Sequence, residues 1–391
     1  MAETTLGALA DIKVGFPFKS SDFLKDGSGV RLLRGDNIAP GRVRWDNAVR
    51  WPETLPIDGD YRLARGDVVL AMDRPWIGAG LKAATVGEGD VPALLVQRVA
   101  RLRARPGVPQ GYVAALASSE NFAQYLLSVQ TGTAVPHISS RQIAAFPVTA
   151  VSPATQNAIA EVQGALDDKI AANTRVAAAA EGLAVALVSA LPLTSTLGAL
   201  VTHHRTTVAP NSLADPVVEH FSLPSFDSGK HPELAAPSSI KSGKLAIEQP
   251  SVLISKLNPR IPRIWLTPAS TGIRQLASTE FLVLAPRTVD PAVLWALAMQ
   301  PSFSAALEGK VAGTSGSHQR VKPADTLNTP IGDPTELSER DRFEIVTLCA
   351  SAQSARAENI SLAATRDALL PALMSGRLRV KDAEKVVSDA V

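Results

Sequence analysis

Residues 152–191 read SPATQNAIAEVQGALDDKIAANTRVAAAAEGLAVALVSAL, and this stretch decides the architecture. Ile159, Val162, Leu166, Ile170, Val176, Leu183 and Leu187 recur at spacings of three and four, which places them along one face of a helix. Ser152 suits the N-cap, Pro153 the first helical position, and Pro192 ends the run. At 1.5 Å per residue, some forty residues make a rod of about 60 Å, too long to stand without a partner.

The partner lies in the same chain at a constant offset of 186. Ser338 matches Ser152, Ile345 matches Ile159, Leu348 matches Val162, Asn359 matches Asn173, Leu362 matches Val176 and Leu369 matches Leu183. Ala372-Leu373-Met374-Ser375 matches Ala186-Leu187-Val188-Ser189. Shared caps and asparagines at one offset indicate a duplicated chain rather than two unrelated helices. Gly164 and Gly182 weaken the first rod and Pro371 is expected to kink or end the second, so packing must hold both.

The intervening segments repeat as well. Val252-Leu253-Ile254-Ser255 corresponds to Val68-Val69-Leu70-Ala71, each followed by a proline, at Pro259 and Pro75. One helix is predicted in each lobe, over 110–129 and 291–307, and Gly-Thr followed by three residues and a histidine recurs around His137 and His318. The fold class is α+β: two lobes of mixed strands and helices with a pair of long antiparallel helices, a pseudo-twofold internal repeat. The segments are 1–151, first lobe; 152–191, central helix; 192–337, second lobe; 338–376, distal helix; and 377–391, tail.

Composition narrows the function. The 391 residues are 46% hydrophobic and 19% charged, ample for folded domains. Basic residues outnumber acidic ones 17 to 14 in residues 1–152 and 12 to 10 in 192–335, but not in the helix segments, at 2 to 4 and 8 to 9. That pattern permits a polyanion partner without requiring one. The single cysteine, Cys349, excludes a disulfide framework and a Cys-based zinc site, and reads as core. With neither a signal-like N-terminus nor an uncharged apolar run of about 20 residues, the expectation is a cytoplasmic chain with no membrane partner.

No Asn/Asp-Pro-Pro-aromatic tetrapeptide, phosphate loop or His-Glu-x-x-His stands in the chain, so no catalytic machinery is expected. Gly78-Ala79-Gly80-Leu81-Lys82-Ala83 fits a dinucleotide fingerprint by pattern alone, but Gly87 and Gly89 oppose the helix it needs. The six histidines show no ligand spacing and no metal is expected.

Leu6-Gly7, Leu33-Arg34-Gly35-Asp36-Asn37-Ile38, Gly66-Asp67-Val68-Val69, the Gly-Thr segments and the end of the chain, 369–380, together resemble the DNA-specificity subunits of type I restriction-modification systems. The resemblance covers nearly the whole chain. It implies two target-recognition domains, each reading half of a split site in double-stranded DNA, and two methyltransferase (modification) subunits docked on the helices, with restriction subunits in a fuller complex. S-adenosylmethionine would then act on the partner methyltransferase, with no cofactor in this chain.

The candidate DNA contacts are Lys19, Arg34, Arg74, His137 and Arg141 in the first lobe and Lys256, Arg260, Arg263, His318, Arg320 and Lys322 in the second. Asn173 and Asn359 are the candidate partner-binding residues. The run Arg98, Arg101, Arg103 and Arg105 reads as a solvated strand face. The alternative function is a coiled-coil scaffold whose two lobes bind protein.

Overall fold

The computed structural model describes residues 3–45, 48–77, 80–132, 135–268, 272–310, 319–374, 378 and 380–390. The chain forms two compact units, one of residues 1–169 with 362–391, the other of 170–361. Each takes one lobe and one half of each long helix, so the units cut across the segments read from the sequence.

The long helices are Pro153–Leu187 and Glu339–Met374. Both start as their caps predict: Ser152 Oγ accepts the Thr155 N–H at 3.2 Å and Ser338 Oγ accepts the Asp341 N–H at 3.1 Å. In the second unit Asn173 Nδ2 donates to Glu358 Oε2 at 2.8 Å, and Asn359 Nδ2 donates to the Ile170 carbonyl and to Thr174 Oγ1, each at 3.2 Å. In the first, Arg366 pairs with Asp167 at 2.9 Å. Rising numbers on one helix meet falling numbers on the other, so the pair is antiparallel.

The seam differs from the predicted stripe. Ile159, Val162 and Leu166 are buried as expected, but farther on the buried positions are Ala177, Ala180, Ala184 and Val188, packed in part on Ala352 and Ala355. Val176 and Leu183, one place off that stripe, are 50% and 58% exposed. Small side chains bring the backbones close, and the larger neighbours turn outward. The first helix is long and apolar enough to cross a membrane by composition, yet its Glu181 is bonded to Lys230 at 3.1 Å and to Arg356 at 2.8 Å. Burial alone would raise the Glu181 carboxyl, and the two cations outweigh it and hold it below the ordinary value.

Other helices also depart from expectation. Residues 110–129 form two helices, Gln110–Ser118 and Glu120–Val129, because Ser119 leaves helical geometry and its Oγ caps the second at the Phe122 N–H. Residues 291–307 divide into Pro291–Ala298 and Pro301–Glu308, since Pro301 has no N–H to continue the first. The second long helix passes Pro371 and ends within a turn. The expected tail is a helix, Val380–Ala390, with Ala383 and Val387 buried four residues apart.

The lobes share a sheet plan. In the first, strands run Ala83–Thr85, Val68–Ala71, Val99–Ala104 and Ala10–Val14 across an antiparallel sheet. In the second the order is Ile264–Leu266, Val252–Ser255, Phe281–Pro286 and Val201–His204, again antiparallel. Each lobe adds a second sheet with one parallel pair, Ala93–Leu95 on Val30–Leu33 and Gln275–Ala277 on Val218–Phe221. Gly111 seats the first lobe on the long helix: a Cβ there would stand 2.9 Å from Ala160 Cβ, so only glycine permits this approach.

The arginine run is a solvated face only in part: Arg98 and Arg105 are exposed, but the two arginines between them are not. Arg101 is 2% exposed, bonded to Asp11 at 2.9 Å and to the Asp60 carbonyl at 2.7 Å, and Arg103 forks onto buried Asp67 at 2.8 and 2.7 Å. Aspartates on neighbouring elements convert the strand's charged face into an internal network. Cys349 is core, and burial pushes its thiol up to about 12.

Candidate functional site

In both lobes the chain leaves the strand Val68–Ala71 or Val252–Ser255 through the same backbone pattern. In the first, the Met72 N–H donates to Arg98 O, Ile138 N–H to Met72 O, and Arg74 N–H to Pro136 O. In the second, Lys256 N–H donates to Glu280 O, Val321 N–H to Lys256 O, and Asn258 N–H to Gln319 O. Arg74 and Asn258, each before a proline, hold φ of 45° and 51°. These bonds make Arg320 the counterpart of His137. The expected counterpart, His318, lies outside the described residues, and the second Gly-Thr loop is two residues longer than the first.

Side chains at these matched places differ. In the first lobe Asp73 bonds His137 Nδ1 and an Arg98 nitrogen, both at 2.6 Å. Burial acts to raise the Asp73 carboxyl, but the bonds to His137 and Arg98 hold it below its ordinary value. In the second, Arg320 forks onto Glu280 at 2.8 and 3.2 Å, and this bond with the nearby Lys256 charge lowers the Glu280 carboxyl. Lys256, Arg320 and Lys322 line one cavity of about 440 Å³ with Thr279 and Glu280. The structure therefore brings together three of the six candidates named in that lobe.

Beyond the matched turns each lobe projects a short loop. In the first it is a hairpin, Trp76–Ile77 paired with Gly80–Leu81, with Trp76 38% and Ile77 41% exposed and Arg74 exposed at its base. The strand at Gly80–Leu81 also removes the dinucleotide pattern, which needs a helix there. In the second lobe exposed Arg260 and Ile261 occupy the loop, while Arg263 is held by Asp227 through two bonds of 2.7 and 2.8 Å with its side chain 12% exposed. Arg263 is thus a loop brace in this structure.

Lys19 and Arg141 are exposed; Arg34 is half-buried, its Nε lacking a partner among the described residues. Asn173 and Asn359 sit in the helix seam, bonded within the chain as given above. The outward face nearby is apolar instead: Phe343 is 72% exposed and borders an opening of about 480 Å³ with Leu183, Leu187 and Leu348. Sequence reading also passed over Arg44 and Lys82, which lie beside Arg74. The signal was present, since Lys82 lies within the glycine-bearing segment dismissed as a fingerprint. Among the described residues no three of His, Cys, Asp and Glu are grouped to hold a metal ion.

No family model matches the chain. Over 141 residues it is 35% identical to the type I restriction enzyme EcoAI specificity subunit of Escherichia coli, covering 35% of this chain and 23% of that protein. Over 167 residues it is 31% identical to the type I restriction enzyme MjaVIII specificity subunit of Methanocaldococcus jannaschii, covering 42% of this chain and 39% of that one. The matched stretches thus span well under half the length of these curated relatives. The crystal structure of the type I restriction-modification system S subunit from M. genitalium superposes with a TM-score of 0.50 at 12% identity over 95% of each chain, a likeness of fold. In sequence over those stretches and in fold over nearly all its length, the chain is similar to the specificity subunits of type I restriction-modification systems.

Proposed function

We propose that this chain is a non-catalytic DNA-recognition subunit that binds a bipartite duplex target, one half-site per lobe, and positions methyltransferase subunits on it. The observation that carries this reading is the duplicated strand exit: a left-handed residue before proline, Arg74 in one lobe and Asn258 in the other, followed by a loop, with an exposed arginine and an exposed apolar side chain in each lobe. Such a loop can enter a groove and present its arginine to guanine O6 and N7 or to a phosphate, with lysines and backbone amides on phosphate. Restriction subunits complete the assembly in this reading, and the chain works in the cytoplasm.

The exposed apolar side chains of the helix pair support its role as the docking face for the methyltransferase, because Phe343 and Leu183 border one apolar opening and leave its surface in water. S-adenosylmethionine belongs to that partner. A gel shift with duplex DNA across a salt series, with and without the modification subunit, tests the proposal. Salt-dependent binding with a preference for one split sequence is the expected result. Binding that ignores duplex DNA at every salt concentration would return the chain to a protein-binding scaffold.

A further inference from the structure

Three segments meet at one edge of the first lobe: the 3-10 turn Gly35–Asn37, Arg44 just past the strand Arg42–Val43 with its guanidinium 3.5 Å from the Asp36 carbonyl, and the base of the exposed hairpin at Arg74 and Lys82. The backbone of Lys82 is fixed on both sides, its N–H donating to Pro75 O at 2.6 Å and its carbonyl accepting from Ala71 N–H at 3.0 Å. Its stem runs to the first turn, so that Nζ lies 3.9 Å from where a Cβ on Gly35 would stand. The side chain is half-buried, and among the described residues its ammonium meets neither a hydrogen-bond acceptor nor an ion-pair partner. Burial, with the charges of Arg44 and Arg74, pushes the Lys82 ammonium below its ordinary value, and Asp36 opposes them.

Three cations, Lys82, Arg44 and Arg74, thus face a single nearby carboxylate, Asp36, which makes no ion pair with the half-buried ammonium, and the excess positive charge is relieved by an anion. A direct ion pair with a carboxylate is the usual remedy, and this lobe gives one to Arg98, Arg101 and Arg103, whereas Asp36 acts on Lys82 only without contact. Gly35 leaves the space above Nζ free of any side chain of its own. We propose that Lys82, with Arg44 and Arg74, seats one backbone phosphate of the DNA and thereby sets the hairpin Trp76–Leu81 over its half-site. This assignment rests on the DNA-recognition reading and names a residue that reading did not use. The phosphodiester carries one negative charge and two free oxygens, enough to engage the lysine and one arginine at once. The site positions and carries no sequence information itself.

The test uses the full-length chain with its modification subunit on two duplexes, one bearing the methylated motif and one scrambled, from 50 to 200 mM salt. Lys82→Gln should lower the slope of log K against log salt by about 0.9 on both duplexes, a salt response about threefold smaller over that range. Lys82→Arg should restore it, and Arg74→Gln, altering an exposed side chain, should give a second, similar fall. An unchanged slope in Lys82→Gln and Arg74→Gln overturns the phosphate site while leaving DNA recognition intact. So does an effect of Lys82→Gln confined to one base position, which would make the lysine a base reader. Absence of salt-dependent binding by the unsubstituted protein overturns the DNA-recognition reading itself.

Discussion

Arg260 and Arg263 stand three residues apart in one loop, and alanine at each should give opposite phenotypes. Arg263 makes two charge-assisted bonds to Asp227, and its side chain is 12% exposed. Such bonds contribute about 1.5–3 kcal/mol. The Asp227 side chain is 44% exposed, so water compensates it in part once the arginine is gone, and the cost of Arg263→Ala should be about 2 kcal/mol. For a unit spanning 170–361 that lowers Tm by about 4–8 °C. Arg260 is exposed, so Arg260→Ala should change stability by less than about 0.5 kcal/mol. If it reads a base, specific binding should fall by about 1–3 kcal/mol, with relaxed preference at one position. Calorimetry and a competition binding series on single-base variants of the target measure both. A normal Tm together with relaxed specificity in Arg263→Ala would refute the assignment of that arginine as a brace. Unaltered binding of Arg260→Ala on every duplex would remove the loop from the interface.

Gly111→Val should destabilise the first unit by about 1–3 kcal/mol in urea unfolding, since even a Cβ there meets Ala160 at 2.9 Å. The Glu181 carboxyl is depressed in the folded state, so its stabilisation is present above the ordinary carboxylate value of 4.5 and is lost as pH falls through the folded value. The urea midpoint should therefore decline below about pH 4.5, and Glu181→Gln should be less stable at pH 7 and show a shallower acid decline. Phe343→Ala should leave Tm within about 1 °C, because the ring is 72% exposed, while weakening capture of the modification subunit in a pull-down with purified partner. Exchanging the first lobe for that of a relative should alter one half of the methylated motif only, read by sequencing modified bases; a change in both halves would show that the lobes do not act independently.

The duplication was legible because it was written in caps and spacing. Ser152 and Ser338, 186 residues apart yet equivalent in role, cap their helices as read. Val68–Ala71 and Val252–Ser255 are indeed the matching strands. A further repeat went unread: Leu-Gly-Ala-Leu occurs at 6–9 and 197–200, and both copies form the same four-residue helix. What spacing could not show was which of two adjacent stripes is buried. Leucine and valine at 183 and 176 outrank alanine on any hydrophobicity scale, yet close helix packing selects Ala177, Ala180 and Ala184. Likewise, a basic residue in a loop does not reveal its counter-ion. Asp227 lies 36 residues before Arg263, and Asp67 lies 36 before Arg103, distances at which only the folded chain makes the pairing.

The matched strand exits also explain how one scaffold can carry two different sets of side chains. The bonds that define the exit run from backbone to backbone, Met72 to Arg98 and Lys256 to Glu280, Arg74 to Pro136 and Asn258 to Gln319. None depends on the side chain it passes through. Arg98 in one lobe can therefore be Glu280 in the other, and His137 can be Arg320, without disturbing the frame. The acid has moved with the change: it is Asp73, on the turn itself, where the facing segments offer Arg98 and His137, and Glu280, at the place of Arg98, where the facing segment offers Arg320. Each lobe keeps a local ion pair and exposes a different set of donors beside it. A frame fixed by backbone bonds leaves side-chain identity free to vary, which is the property that the proposed reading of unlike half-sites by two lobes would require.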